Sequence, residues 1–225
     1  PTFGNPGGKT LSEARRRRLV ELAKKYDFVI LEDDPYGELR YEGQTMPTLK
    51  SMDTKGNVIF LGSFSKIFMP GLRIGWMVAH HDILEKAVML KQTVDLQSSS
   101  FAQRQASYYI DMYDLDAHVA KIRELYGKRR TLMYDSMKKY FPQGLSFTYP
   151  EGGLFTWVTL PENIDAKAIM PEVIEKKVAY VPGGAFYPNG GNGNHFRLNY
   201  SNMPEDRIVE GIKRLAEVLK EKMGK

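Results

Sequence analysis

Apolar residues follow two rhythms along this chain. Unbroken runs at Phe28-Val29-Ile30-Leu31 and Val58-Ile59-Phe60-Leu61 predict strands buried on both faces. Helical spacing of Leu19, Val20, Leu22, Ala23 and Tyr26 predicts a helix before the first run. A third strand is expected between Arg73 and Ala79, and Leu39 to Asn57 reads as loop with short elements. From His81 to Tyr140 the pattern is mainly helical. Ile83, Ala87 and Leu90 begin it, and Val119, Ile122, Tyr126, Met133 and Met137 continue it as core positions. Pro142-Gln143-Gly144 breaks it.

The pattern then shortens. Leu145 to Tyr149 and Leu154 to Leu160 read as strands around Pro150-Glu151-Gly152-Gly153. A short helix is expected near Asp165, a candidate N-cap, with a kink or restart at Pro171. Val178 to Val181 and Phe196 to Tyr200 read as strands, separated by a Gly- and Asn-rich loop from Tyr187 to Asn194. Asn202-x-x-Glu205 has the spacing of a capping box, with Pro204 in the first turn. Ile208, Val209, Ile212, Leu215, Ala216 and Leu219 predict an amphipathic C-terminal helix. Together these elements predict an α/β sheet covered by helices, then a smaller α+β part. The boundary is expected within the long helix, near residue 115.

Composition narrows the class. With 42% hydrophobic and 26% charged residues, the chain is expected to fold rather than stay disordered. Its apolar runs are too short to span a bilayer. A net charge of +5 is spread along the chain and points weakly to nucleic acid. Arg15 to Arg18 cover most of a helix circumference and read as a solvated, partly snorkelling face. There is no cysteine, hence no disulfide framework and no thiolate metal site. The four histidines, His80-His81 among them, lack ligand spacing and read as surface residues, so no metal site is expected. The chain opens Pro1-Thr2-Phe3-Gly4-Asn5-Pro6-Gly7-Gly8, which is not a signal peptide and reads as a turn after an absent element, so a fragment of a longer protein is expected.

Chemistry gathers at strand ends, where ligands sit in such sheets. Asp33, Asp34 and Tyr36 follow one predicted strand, and Ser63, Ser65, Lys66 and Arg73 follow the next. A lysine beside a buried strand end is biased towards its neutral, nucleophilic amine. Serines and an arginine are phosphate donors. Taken alone, Ser63-Phe64-Ser65-Lys66 also reads as a solvated lysine beside a serine turn. Asn5 and Arg197 complete a set that suits pyridoxal phosphate: a lysine for the aldehyde, an aspartate for the ring nitrogen, donors for the phenolic oxygen and phosphate.

The residues that carry a resemblance lie along the whole chain. They are Pro1-x-Phe3-x-Asn5-Pro6-x-Gly8, Asp33-Asp34-Pro35-Tyr36, Gly62-Ser63-Phe64-Ser65-Lys66 with Gly71-Leu72-Arg73-Ile74-Gly75, Pro150-Glu151-Gly152-Gly153, and Phe196-Arg197-Leu198-Asn199-Tyr200-Ser201. In this order they resemble the C-terminal part of a class I/II, fold-type I pyridoxal-phosphate aminotransferase, most similar to the 2-aminoadipate and kynurenine aminotransferase branch. The resemblance implies the second half of a large domain with a mainly parallel sheet, over residues 1–115, and a small C-terminal domain over 116–225. It implies that Lys66 forms the Schiff base and moves the proton, that Asp33 pairs with the pyridinium nitrogen, and that Tyr36 and Asn5 bond the phenolic oxygen. Asp34 takes a neighbouring role. Ser63, Ser65 and Arg73 would hold the phosphate, and Arg197, with Asn5, the substrate α-carboxylate.

The implied reaction moves an amino group from an amino acid to a 2-oxo acid, in a cytoplasmic homodimer without membrane or nucleic-acid partner. The family's N-terminal portion, with its stacking aromatic and further phosphate donors, is missing from this sequence, so the 225 residues alone are expected to be inactive. The competing reading is the cofactor-binding sensor domain of a winged-helix transcription regulator. Gly153, Phe186 and Tyr187 fit a place near the substrate pocket and structural turn or core roles equally well.

Overall fold

The computed structural model describes residues 1–224. The backbone packs as two compact units: Pro1–Thr2 with Thr10–Arg123, and Phe3–Lys9 with the chain from Glu124 on. The division falls inside the long helix α5 (Leu115–Tyr140).

In the first unit, α1 (Glu13–Tyr26) precedes β1 (Ile30–Asp33), which pairs in parallel with β2 (Val58–Ser63). Ala23, Ile30, Leu49 and Val58 form the core between them, joined by Leu19 and Val20. The first strand begins two residues later than its apolar run, leaving Phe28 and Val29 exposed. Phe28 N–H still closes on the Ala23 carbonyl at the helix exit, and Ile30 is the first residue to reach across, donating to the Asn57 carbonyl. β1 therefore alternates: Ile30 and Glu32 point inward, Leu31 and Asp33 outward.

Glu32, only 1% exposed, accepts from Leu49 N–H and Lys50 N–H, both at 2.8 Å, and so caps the short helix α2 (Leu49–Met52). Arg16 overturns the expectation of a solvated arginine run. It is fully buried, and its guanidinium donates to the carbonyls of Leu11, Pro47 and Pro1 and to Thr2 Oγ1. A planar fork with five N–H donors can satisfy several carbonyls at once, which makes its burial tolerable. Its neighbours Arg15, Arg17 and Arg18 do stay exposed.

β3 (Gly75–Val78) joins β2 antiparallel. The connection, residues 64–74, is too short for a crossover helix, so the chain must turn back. Gly62 lies inside β2 rather than ending it. It faces Trp76 in the register, and a β-carbon there would lie 2.2 Å from the indole. Helices α3 (His81–Val94) and α4 (Ser100–Met112) follow; α4 lays Ala102 and Ala106 on Leu72, while α3 buries none of its residues.

The second unit is built on an antiparallel sheet in the order β4 (Ser146–Phe147), β5 (Phe155–Thr159), β7 (His195–Asn199), β6 (Val181–Pro182). Met133 and Met137 of α5 are core, as are Val158, Phe196 and Leu198. Asp165 accepts from Lys167 N–H and Ala168 N–H, and α6 (Met170–Glu175) restarts with Pro171 in its first turn. The strand expected from Val178 is confined to Val181–Pro182, because Lys177, at φ 62°, and Val178 are occupied in closing α6. The amphipathic helix α7 (Glu205–Lys222) buries Ile208, Ile212, Leu215, Ala216 and Leu219. No capping box forms. Pro204 is the N-cap with no side-chain bond, and Glu205 pairs instead with Arg129 at 3.3 Å.

Candidate active site

Parallel pairing brings the carboxyl ends of β1 and β2 to one sheet edge, with Asp33 in register with Leu61. Immediately beyond, the chain makes one helical turn, Phe68 N–H and Met69 N–H both returning to the Phe64 carbonyl. This turn carries Ser65 and Lys66. Ser65 N–H donates to Ser63 Oγ at 3.1 Å, and Arg73, at φ 55°, extends its guanidinium to the Pro70 carbonyl at 3.1 Å and Ser65 Oγ at 3.5 Å. Ser63, Ser65 and Arg73 thus form one donor cluster fixed by local turn geometry.

Lys66 is half-buried among them and has no partner among the described residues. By contrast, Lys50 Nζ donates to the Val58 carbonyl and Asp53, and Lys91 Nζ to Asp95. On the neighbouring strand end Asp33 is exposed, Asp34 half-buried and Tyr36 buried. Burial pushes the Asp34 carboxyl above its ordinary value.

The first unit therefore brings Asp33, Tyr36, Ser63, Ser65, Lys66 and Arg73 to one edge. Asn5 and Arg197 belong to the second unit, and there they meet: Arg197 Nη1 donates to Asn5 Oδ1. Asn5 sits in a tight turn closed by the Gly4–Lys9 bridge. Gly8, at φ 66°, finishes that turn against the Phe155 carbonyl and Pro150, where a β-carbon would lie 2.9 Å from each. The Arg197 guanidinium lies over the Phe155 ring at 4.0 Å and the Phe186 ring at 5.3 Å.

Phe155 carries no signal in the sequence; its place opposite Asn199 and two residues along from the Arg197–Trp157 pair appears only in the strand register. Of the three residues with open roles, Gly153 takes a turn at φ 79° against Phe3, and Phe186 packs edge-on to Trp157 beside Arg197. Tyr187 lies 5.9 Å from the His195 ring. His80, His81 and Asp82 are exposed with ligand-type atoms within 4.8 Å of one another.

The donor chemistry fits pyridoxal phosphate: two serines and an arginine gathered around the turn for an anion, an unengaged lysine within the turn, and a carboxylate one strand away. Among the described residues, no helix is long and apolar enough to cross a membrane.

The fold is that of the class I and II aminotransferases. The sequence profile of the class I and II aminotransferases matches residues 2–215, and the chain belongs to that family. It is 49% identical over 225 residues to aromatic-amino-acid aminotransferase 1 of Thermococcus litoralis, covering 100% of this chain and 54% of that protein. It superposes on the Pyrococcus horikoshii kynurenine aminotransferase solved with PMP, KYN and KYA with a TM-score of 0.96 and 49% identity, over 99% of this chain and 55% of that one. An uncharacterised HTH-type transcriptional regulator of Bacillus subtilis is 33% identical over 223 residues, 99% of this chain and 46% of that protein. The chain spans about half the length of these relatives.

Proposed function

We propose that the full-length protein is a pyridoxal-phosphate-dependent aminotransferase that moves an amino group between an amino acid and a 2-oxo acid. The observation that carries this is Lys66, unengaged in a turn around which Ser63, Ser65 and Arg73 gather as phosphate donors. Bound pyridoxal phosphate supplies an electron sink for the substrate α-carbon. Lys66 would hold the cofactor through its amine and would move the proton at the substrate α-carbon. The Asp33 carboxylate would keep the ring nitrogen protonated, and the Tyr36 hydroxyl and Asn5 would bond the phenolic oxygen. Arg197 takes the α-carboxylate with its planar fork, oriented by Asn5 Oδ1 and by the Phe155 ring below it.

Residues 1–115 would then be part of the cofactor-binding domain and 116–225 the small domain of a cytoplasmic homodimer. Borohydride reduction of the full-length protein with its cofactor, followed by peptide mapping, should place the adduct on Lys66. An adduct on Lys50 or Lys91 overturns the assignment.

A second reading, a cofactor-binding sensor fused to a DNA reader, is favoured by the regulator that matches 99% of this chain. A winged-helix module in the full-length polypeptide, with DNA binding altered by pyridoxal phosphate and no transamination, would establish it.

A further inference from the structure

Asp34 stands beside the proposed ring-nitrogen partner but does a different job. Alternation along β1 sends Asp33 outward and turns the next carboxylate inward. There Gly37 N–H donates to it, and the fit is close: a β-carbon on Gly37 would lie 2.4 Å from Asp34 Oδ2. The other oxygen, Oδ1, is buried without a hydrogen-bond partner, and Asp34 helps line a cavity of about 120 Å³ with Thr2, Arg40, Thr48 and Ser63. Between the two ends of the Asp34–Gly37 closure sits Tyr36, whose carbonyl accepts from Leu39 N–H at 2.8 Å. The tyrosine is thus bracketed by two turn-closing bonds, and Asp34 makes the first. A half-buried carboxylate with one idle oxygen is an expensive way to close a turn. Its cost is explained if the position of Tyr36 matters.

We propose that Asp34 is a positioning residue for Tyr36: its carboxylate, held by Gly37 N–H, fixes the turn that presents the phenol. Its consequence for cofactor rests on the aminotransferase reading; its consequence for the turn does not.

The test uses the full-length polypeptide and the variants Asp34→Ala, Asp34→Asn and Tyr36→Phe, with Asp34→Ser in case the alanine variant does not fold. Amide exchange at Gly37 should quicken about tenfold in Asp34→Ala or Asp34→Ser, and stay within about twofold in Asp34→Asn, which keeps an acceptor oxygen. The pH at which bound pyridoxal phosphate changes its absorption should move in Asp34→Ala in the direction it moves in Tyr36→Phe. It should stay at the parental value in Asp34→Asn, and the double variant should shift less than the sum of the singles. Unchanged Gly37 exchange in both truncations, an unmoved midpoint in Asp34→Ala where Tyr36→Phe moves it, or no rescue by asparagine each overturns the proposal. Faster Gly37 exchange with a midpoint that even Tyr36→Phe leaves unmoved supports the positioning of the turn and overturns instead the role given to the phenol.

Discussion

Arg197 shows at residue scale how much a side chain's neighbours decide. Its guanidinium donates to Asn5 while lying 4.0 Å over the Phe155 ring, two demands that a lysine ammonium cannot meet together. Arg197→Lys should therefore weaken amino-acid binding about 10- to 100-fold, the worth of one to two charge-assisted hydrogen bonds, while the absorption of bound cofactor stays unchanged. Titrating the holoenzyme with substrate separates the two effects, and parallel loss of cofactor would make the arginine structural. Asp53 offers a pH prediction. Although burial works against its charge, the N–H groups of Val58, Lys55 and Asn57 and the Lys50 ammonium hold it at about 2, below its ordinary 3.8. Its contribution is thus complete above about pH 4 and is lost as pH falls from 3.8 towards 2, for a total of about 2 kcal/mol. Asp53→Ala should lower stability by roughly that much at neutral pH and much less near pH 2, read from urea midpoints. Lys66, Ser63, Ser65 and Arg73 were legible in the sequence because one local turn gathers them. Arg16 and Asp53 were not: Arg16 reaches the Pro47 carbonyl 31 residues away, and Asp53 collects a loop that no apolar pattern marks.

At the scale of elements, periodicity located nearly every strand and helix but not their ends. Ends are set by partners outside the element. β1 starts where Ile30 finds Asn57, and α7 starts without its capping box because Arg129 claims Glu205. The β2–β3 pair is the clearest case. Gly62 lies just past the apolar run Val58–Leu61, yet it is still within the strand, a gap that the Trp76 indole fills. Gly62→Ala should cost about 1–3 kcal/mol of stability through overpacking. Adding Trp76→Ala should return part of that loss, a coupling that a double-mutant cycle in denaturant would measure. Strictly additive losses would mean that the indole moves aside freely.

For the molecule as a whole, the two units differ in what they leave uncovered. In the first, every residue of β3 is exposed, α3 buries nothing, and Leu31, Leu90, Val94 and Phe101 each expose more than 60% of their surface. In the second, α7 buries Ile208, Ile212, Leu215, Ala216, Val218 and Leu219. Large exposed apolar area drives association. The 225 residues alone should therefore bind a hydrophobic dye and self-associate, which light scattering over a concentration series would show; a dye-silent monomer at all concentrations would contradict this. The chain has two tryptophans, Trp76 in the first unit and Trp157 in the second. Trp76 lies tilted against Phe64 at the lysine turn, whereas Trp157 stacks on His195. Each unit consequently carries its own fluorophore. Replacing either indole by phenylalanine would leave an emission signal that reports on one unit alone, so that the melting order of the two could be followed by light, with no label attached.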